Sequence, residues 1–417
     1  MDFVGVDIGA SNTRYVTNKG NVYTVPNNMV LLDWNGNSKL SEVRLEPHGD
    51  NPEDALELTV EHRVEGLKVA SYHCLYGDFA KRYSGRNQTP SSLKAKTEQE
   101  INIISVVMAA ALGVIKDGLG ENLGLYIALP PSEVKSRMHE VIKMFGGEWD
   151  INFVKLNKKL KLTFNPIMCY EESFLAALDY FFDMNGKLRK NASKYTTGNV
   201  LSLDIGASTS DLVIVQDMKY LEHTGQTVKI GGNVARQYMQ NWVSQTYGFD
   251  APDETLERAI AEGRLQMGNG YVECSEAVCS AKKELARDIV NHITNYFRAV
   301  NIPIQMLRAI VVSGGGSMPG SYVDEGGNTM STSPSVTKYI TEYLLDVCPD
   351  VEVEQMERNP RMSNIHGLFV RAKLDTVVCK AANGSGRNSK IKGNNAKADS
   401  EAASKGSDSA EDSADNE

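Results

Sequence analysis

The sequence predicts an α/β fold made of two duplicated lobes, and two observations lead to this prediction. First, the segment Asp-Ile-Gly-Ala-Ser stands at residues 7–11 and again, letter for letter, at residues 204–208. Second, apolar segments typical of strands alternate in both halves of the chain with longer segments whose apolar residues recur at helical spacing. Repetition over so large a separation indicates that a whole lobe is duplicated.

In each copy of the repeat, an apolar strand precedes the glycine-containing turn and a β-branched strand follows it. This pattern predicts a hairpin and not the strand-to-helix turn of a P-loop. Ser132, after two prolines, is the predicted N-cap of a helix that runs to about Phe145. The other elements predicted in the first half are a helix at 100–116, a strand at 125–129, a strand pair at 155–165 and a helix at 172–182. Those predicted in the second half are strands at 200–230, helices near 232–247, 253–265 and 275–300, a strand at 307–313 and a helix at 334–347.

The composition is typical of a globular protein with more than one core. The chain has 417 residues, of which 41% are apolar and 23% are charged, and its formal net charge is −9. At about 150 residues per domain, this length corresponds to two or three domains. The acidic balance argues against broad non-specific binding to nucleic acid, because such binding needs a clustered cationic face.

The N-terminus and the hydropathy pattern predict a cytoplasmic protein. The chain begins directly with the apolar residues 3–6 of a first strand, without the basic and long apolar regions of a signal peptide. No window reaches the roughly 18 consecutive apolar residues of a membrane span. The six cysteines show no Cys-x-x-Cys spacing, which favours thiols over disulfides or a zinc site.

The two predicted hairpins carry residue types that bind phosphate. Gly9 and Gly206 allow the backbone to approach a polyanion closely. Backbone N–H groups and neighbouring hydroxyl groups can then donate hydrogen bonds to phosphate oxygens. The hydroxyl groups are those of Ser11, Thr13, Ser208 and Thr209.

Each hairpin also has an acidic residue at the end of its first strand. Asp7 and Asp204 can face a hydrated Mg²⁺ there, and Arg14 can add a positive charge beside the first loop. One such loop alone would be an ordinary solvated glycine turn. Two near-identical copies in strand contexts favour a phosphate clamp between two lobes.

A third glycine cluster follows another apolar strand, with the sequence Ser-Gly-Gly-Gly-Ser at 313–317. Consecutive glycines at a strand end allow flat backbone to lie against a nucleobase and its sugar. Alone, this segment would be a flexible loop. Together with the two hairpins, it supplies the base side of a nucleotide pocket.

The order of these segments resembles the superfamily of ATPases that contains actin, sugar kinases and the seventy-kilodalton heat-shock chaperones. The resemblance covers about residues 1–375 and rests on DIGASNT, a glutamate at the head of an Ala-rich helix, DIGAST, IGGN and VVSGGGS. Within the superfamily, the chain is similar to bacterial and archaeal actin-like proteins of the plasmid-segregation (ParM) type. The fold implied has two duplicated actin-like, ribonuclease H-like lobes, each with a smaller variable subdomain and with nucleotide in the cleft between them.

The resemblance also implies roles for individual residues. The first phosphate loop would contain Asp7, Gly9, Ser11, Asn12, Thr13 and Arg14, and the second Asp204, Gly206, Ser208 and Thr209. The adenosine side would contain Gly231, Gly232, Asn233, Lys282, Gly314, Gly315, Gly316 and Ser317. For Lys282 a solvated helix face is the alternative, because a second lysine and a glutamate follow it.

The catalytic candidate is Glu172, with Glu171 as the alternative in register. A carboxylate at a helix start, across from the phosphates, can accept a hydrogen bond from the attacking water. Favourable charge in the first helical turn is the competing structural explanation. Asp7 and Asp204 complete the catalytic set by holding Mg²⁺ through water.

The function implied is an ATPase whose dynamic filaments segregate plasmid DNA through a centromere-binding adaptor protein. ATP is the expected nucleotide and GTP the alternative, with no membrane partner and little direct nucleic-acid binding. A sugar-type kinase of the same superfamily and a non-motile or divisome-type actin homologue are the alternative functions. A chaperone is excluded, because no β-rich peptide-binding domain follows the ATPase region.

The predicted domain boundaries follow the repeat. Lobe I would span 1–175, with a small variable subdomain at 34–90 and a returning segment at 346–378. Lobe II would span 176–345, with a small subdomain at 231–305. Residues 379–417 contain almost no large apolar side chain, which predicts a disordered polar tail.

Overall fold

The structure is a computed structural model of the whole chain. It describes residues 1–32, 56–65, 69–81, 88–91, 94–324, 326–356 and 358–385, with side chains described as far as residue 376. The predicted variable subdomain at 34–90 lies partly, and the end of the predicted tail from 386 onward lies wholly, outside the described residues. A helix able to span a membrane is absent from the described part of the chain.

Within the described residues, the first lobe is built on one mixed sheet of nine strands. These are β1 (Phe3–Ile8), β2 (Asn12–Thr17), β3 (Val22–Pro26), β4 (Met29–Leu31), β5 (Glu57–Arg63), β6 (Ala70–Tyr76), β7 (Asn122–Leu129), β8 (Glu148–Phe153) and β9 (Lys158–Glu171). Their order is β3-β2-β1-β7-β9-β8-β5-β6-β4. The central strands β1, β7 and β9 are parallel, so their carboxyl ends meet at one edge.

The helices of this lobe cover both faces of the sheet. They are α1 (Gly77–Lys81), α2 (Glu100–Asp117), α3 (Pro131–Phe145) and α4 (Glu172–Phe181). Every residue of β1 is buried, as expected for a parallel strand covered on both faces. Val4 and Val6 pack in one core with α2, whereas Phe3 packs in a second core with Leu175 of α4.

Two local predictions in the first lobe were wrong. Ser132 is not an N-cap, because α3 begins at Pro131, whose fixed φ suits the first helical turn. The strand pair predicted at 155–165 is instead a turn followed by the first half of β9. Asn157 makes that turn with a left-handed φ of 50°, and the partner strand is β8 upstream.

The second lobe has a smaller sheet and, within the described residues, two separate two-stranded ribbons. Its strands are β10 (Asn199–Ile205), β11 (Ser210–Gln216), β12 (Lys219–Tyr220), β13 (Gln226–Val228), β14 (Arg264–Met267), β15 (Gly270–Glu273), β16 (Leu307–Ser313), β17 (Gly320–Val323), β18 (Thr329–Ser333) and β19 (Glu352–Gln355). The sheet order is β12-β11-β10-β16-β19, with β13 also paired to β11. The ribbons are β14-β15 and β17-β18.

The described residues of the second half form five helices, of which the first four agree with the predicted ones to within a few residues at each end and the last was not predicted. They are α5 (Asn233–Tyr247), α6 (Asp253–Glu262), α7 (Ser275–Ala299), α8 (Val336–Leu344) and α9 (Ser363–Ser385). Helices α7 and α8 pack on one face of the second sheet. On the other face Ala177 and Tyr180 of α4 contact Val200 of β10, so α4 touches both sheets. The head of α4 is therefore held between the lobes.

The C-terminal segment differs from its predicted course in two respects. The segment predicted to return to lobe I from residue 346 first adds β19 to the second sheet, parallel to β16. Only then does α9 pack Leu368 against the first sheet, near Phe3. The helix continues to Ser385, so the predicted tail at 379–417 begins inside α9.

Candidate active site

The first repeat folds as the predicted β-hairpin. Strands β1 and β2 pair so that Asp7 faces Arg14, and the Gly9 N–H donates to the Asn12 carbonyl at 2.9 Å to close the turn. Asp7 is buried, and the guanidinium Nη1 of Arg14 lies 3.4 Å from its Oδ2. Ser11 is exposed at the loop, whereas Thr13 is buried below it. The hairpin therefore presents backbone and one hydroxyl group beside a neutralised ion pair.

The second repeat has the same turn, because the Gly206 N–H donates to the Thr209 carbonyl at 2.9 Å. Across the strands, however, Asp204 faces Asp211, so that two carboxylates oppose each other. Ser208 and Thr209 are half-buried at the loop. The two hairpins thus share their backbone geometry and differ in charge.

The Gly231-Gly232-Asn233 segment braces the second hairpin. The N–H of Gly232 donates to the carbonyl of Gly206 at 2.9 Å, and the N–H of Asn233 donates to the carbonyl of Ala207 at 2.7 Å. The side-chain amide of Asn233 also donates to Ser208 Oγ at 3.0 Å. A Cβ at Gly231 would lie 2.8 Å from the backbone of the loop, so only glycine fits there.

The third glycine cluster lies next to the second hairpin. Strands β10 and β16 are parallel, with Ser313 beside Asp204, and the glycines continue from that end. Gly314 has a φ of 85°, and a Cβ on it would lie 2.3 Å from Asp204 Oδ1. Gly315 is exposed, whereas Ser317 is buried and its hydroxyl donates to the Gly314 carbonyl at 2.8 Å. The structure therefore brings the predicted adenosine loop and the second predicted phosphate loop together.

Asn364, at the head of α9, contacts the site and was not among the predicted site residues. Its amide donates to Asp204 Oδ2 at 2.7 Å, and Ser313 Oγ donates to Asp204 Oδ1 at 3.3 Å. Burial raises the pKa of Asp204 above its ordinary value, and the charge of Asp7 raises it further. The hydrogen bond from Asn364 lowers the pKa but does not outweigh these effects. The charge of Asp7, in the first hairpin, thus contributes to the electrostatic environment of Asp204 in the second.

Asp211 is the second acidic residue of this hairpin. Unlike Asp204, it was not predicted from the sequence. Thr227 Oγ1 donates to its Oδ1 at 2.6 Å. Burial raises the pKa of Asp211 to about 7, against the effect of the Thr227 bond and with the support of the charge of Asp204. An isolated Asp in a strand carries no motif, so only the register opposite Asp204 reveals it.

Glu172 and Glu171 point to different surroundings. Glu172 is the first residue of α4, is buried, and accepts a 2.5 Å hydrogen bond from the ammonium Nζ of Lys96. Burial raises its pKa well above the ordinary value, while the charge of Lys96 opposes this. Glu171 lies instead against Gly225, where a Cβ would stand 2.6 Å from its Oε2. Burial raises its pKa, and a hydrogen bond with Tyr220 opposes this.

Lys96 is the cation that the sequence analysis missed. Burial lowers its pKa, but the charges of Glu172, Asp7 and Asp211 outweigh this effect, and the pKa is raised. It lies in a single turn, Lys96–Glu98, between the variable region and α2. Its neighbours in sequence form no known motif, so only the tertiary structure shows that Lys96 belongs to the site.

Lys282 is neither solvated nor directed at an acid. Its side chain is 2% exposed, and its ammonium group donates to Met318 O at 2.9 Å, Ser333 Oγ at 2.8 Å and Pro334 O at 3.1 Å. Burial lowers its pKa to about 8. The alternative of a solvated helix face is therefore wrong. With all three N–H groups used, Lys282 joins the two ends of the β17-β18 ribbon that follows the glycine cluster.

The charges at the site fit a divalent cation. Asp7, Asp204, Asp211 and Glu172 are four buried carboxylates, opposed by the two cations Arg14 and Lys96. Hard oxygen ligands and excess negative charge suit Mg²⁺. Among the described residues, no three His, Cys, Asp or Glu side chains are arranged to ligate a metal directly. Asp7 and Asp204 would thus hold Mg²⁺ together with water.

The comparisons with known proteins agree with this architecture. A family model described as the C-terminal part of archaeal MreB-like actin homologues matches residues 202–320, which contain the second hairpin and the third glycine cluster. No curated protein matches the chain.

Three solved structures illustrate the similarity of fold. The actin-like protein Alp7A is 17% identical, with a TM-score of 0.66 over 92% of this chain and 99% of its own. The archaeal actin homologue Ta0583 in complex with ADP is 14% identical, with a TM-score of 0.60 over 90% of this chain and 100% of its own. A 15-stranded ParM filament from Clostridium botulinum is 16% identical, with a TM-score of 0.59 over 90% of this chain and 100% of its own. The chain therefore has an actin-like fold.

Proposed function

We propose that this chain is an actin-like ATPase that polymerises with bound nucleotide and releases its filament contacts after hydrolysis. One observation carries the proposal: two hairpins that share the segment Asp-Ile-Gly-Ala-Ser close with the same glycine turn, and the third glycine cluster lies beside the second hairpin. Exposed backbone turns of this kind suit a polyphosphate. The named ADP complex of an archaeal actin homologue with the same fold supports a nucleotide here.

In the proposed complex, the phosphates lie between the two hairpin loops. Gly9, Ser11, Asn12 and Arg14 contact them from one side, and Gly206, Ser208 and Thr209 from the other. The adenosine lies against Gly314, Gly315 and Gly316, on the side where Arg361 covers Gly315. Gly231, Gly232 and Asn233 act by holding the second loop in place. Thr13, Ser317 and Lys282 support the pocket from buried positions.

Glu172 is the proposed water-orienting residue. It stands at the head of a helix that touches both sheets, and it shares the site with Asp7 and Asp211. Its ionised form is the stronger acceptor of a hydrogen bond from the attacking water, and the charge of Lys96 favours that form. Bound Mg²⁺ supplies charge neutralisation of the phosphates. Asp7 and Asp204 would hold the ion through water.

Self-assembly is supported by the fold shared with the named ParM filament. Copies joined head to tail make a heterologous contact, which produces an open filament unless the rotation closes. Hydrolysis would then weaken the contact between copies. We further propose plasmid segregation through a DNA-bound adaptor as the cellular role, in the cytoplasm of a bacterium or archaeon.

The first experiment is light scattering and pelleting after addition of Mg-ATP, with Mg-ADP and no nucleotide as controls, followed alongside phosphate release. We expect scattering that rises with ATP and decays as phosphate appears. Phosphate release without assembly at any protein concentration would overturn the filament proposal and favour a small-molecule kinase. Repeating the titration with GTP distinguishes the two nucleotides.

Two variants test the site itself. Asp204→Ala is expected to abolish Mg-ATP turnover, and normal turnover would overturn the phosphate clamp. Glu172→Ala is expected to bind ATP, hydrolyse it slowly and form longer-lived polymers. Glu171→Ala is the matched control; if it alone slows phosphate release, the catalytic role belongs to Glu171.

A further inference from the structure

We propose that Lys96 binds the terminal phosphate of the nucleotide, and that Glu133 and Asn102 are positioning residues that hold its ammonium group in register with the first hairpin. The inference rests on the proposed function, which it deepens by adding a residue that separates triphosphate from diphosphate.

The ammonium group of Lys96 has hydrogen-bond donors that are not used within the described residues. It gives one hydrogen bond to Glu172 Oε1, and the described residues offer its other two N–H groups no acceptor within bonding distance. Its side chain is 24% exposed, so the protein does not enclose it completely. Lys282 is the contrast, since its three N–H groups all have protein acceptors. Lys96 can therefore bind an additional anion, and Lys282 cannot.

The backbone of Lys96 is held by a buried carboxylate. Glu133, in the first turn of α3, accepts from the Lys96 N–H at 2.7 Å through Oε1 and from the Thr97 N–H at 3.1 Å through Oε2. The hydroxyl group of Thr97 donates to the same Oε2 at 3.1 Å. Three hydrogen bonds to one charged group fix the turn that carries Lys96.

Two asparagines join that turn to the first hairpin. The amide of Asn102 donates to the Lys96 carbonyl at 2.9 Å, and its Oδ1 accepts from the amide of Asn27 at 3.4 Å. Asn27 donates in turn to the Gly9 carbonyl at 3.0 Å, and its backbone N–H donates to the Ser11 carbonyl at 2.9 Å. The ammonium group and the phosphate loop are thus parts of one hydrogen-bonded unit.

The position of Lys96 selects the terminal phosphate. The glycine cluster proposed for the base lies against Asp204 and Ile205 of the second hairpin. Lys96 lies with Glu172, the residue proposed to orient the attacking water. A chain of phosphates that begins at the glycine cluster therefore reaches Lys96 last. ADP would leave this cation paired only with Glu172.

The test compares the affinities of wild type and Lys96→Met for Mg-ADP and for a non-hydrolysable Mg-ATP analogue by isothermal titration calorimetry. We expect the analogue to lose about 10- to 100-fold in affinity, as for a charge-assisted hydrogen bond, and ADP to change less than about threefold. Lys94→Met removes an exposed lysine two residues away and is the matched control. Equal losses for both nucleotides, or no loss, would overturn the assignment to the terminal phosphate.

Two further variants separate this role from a structural one. Lys96→Arg keeps the charge and is expected to retain the preference for the ATP analogue in part. Glu133→Gln keeps the side-chain shape and is expected to lower that preference about threefold, with ADP unchanged. Unaltered preference in Glu133→Gln would overturn the positioning role. A wild type that binds neither nucleotide would overturn the proposed function itself, whereas equal losses in a nucleotide-binding protein overturn only this inference.

Discussion

The two copies of Asp-Ile-Gly-Ala-Ser fold alike and differ in what faces them. Both turns close with a 2.9 Å hydrogen bond from the glycine N–H, to Asn12 in one and to Thr209 in the other. Across the strands, however, Asp7 faces Arg14 and Asp204 faces Asp211. The same five residues therefore end in an ion pair in one lobe and in a pair of acids in the other.

The two hairpins are also supported differently. The second is enclosed by the Gly231-Gly232-Asn233 brace and by the third glycine cluster, whose Gly314 approaches Asp204. The first has Ala128 of β7 at the position that Ser313 occupies in the second lobe, and it is held by Asn27. Duplication thus preserved the turn, while the tertiary partners gave each copy its own charge and its own support.

The largest effect is expected from Gly314→Ala, which breaks the support of the second hairpin alone. The substitution puts a Cβ at a φ of 85° and 2.3 Å from Asp204 Oδ1. We expect a loss of about 3 kcal/mol in the free energy of unfolding, measured with urea, and loss of nucleotide binding. Gly315→Ala is the control, because its nearest neighbour at 3.3 Å is the flexible side chain of Arg361. Equal losses in the two variants would contradict the close approach at Gly314.

A smaller effect is expected from Arg14→Met, which removes the cation that distinguishes the first hairpin. Asp7 would remain buried without its partner at 3.4 Å. We expect a loss of about 2 kcal/mol in the free energy of unfolding at pH 7, together with weaker nucleotide binding.

Arg287→Met is the matched control for Arg14→Met, since it removes an arginine from an exposed pair with Glu284. Exposed pairs contribute little, so we expect a change below about 0.5 kcal/mol. If both arginines have the same small effect, the ion pair at Asp7 does not account for the difference between the hairpins.

The hairpins illustrate what could be predicted from the sequence. The turns at Gly9 and Gly206 and the glycine cluster depend on local residue types, and the sequence predicted each of them. The charge network depends on register and on remote segments. Arg14 and Asp211 occupy equivalent positions, but only strand pairing shows that each faces the aspartate at the end of the first strand of its hairpin.

The contacts that were not predicted from the sequence come from remote elements of the chain. Lys96 is carried by a short turn, which Glu133 holds from α3. Asn364 reaches Asp204 from the head of α9. Lys282 was predicted on the adenosine side or on a solvated helix face, whereas its ammonium group joins the two ends of the β17-β18 ribbon, which was not predicted. Such contacts depend on packing between distant segments, which periodicity does not encode.

The most specific effect is expected from Asp211→Asn, which removes the like charge from the second hairpin and changes the pH dependence of stability. Burial raises the pKa of Asp211 from 3.8 to about 7. The folded chain therefore binds more protons than the unfolded chain in this range, and the contribution of Asp211 to stability is lost as pH rises towards 7. One proton corresponds to a slope of about 1.4 kcal/mol per pH unit at most. When urea unfolding is measured between pH 5 and 8, the free energy of unfolding should decline less with rising pH in the variant than in the wild type. Glu254→Gln, at an exposed acid, is the control and should keep the slope of the wild type. An unchanged slope in Asp211→Asn would mean that Asp204 and Asp211 do not interact as two buried acids. The hairpins would then differ less in electrostatics than their register indicates.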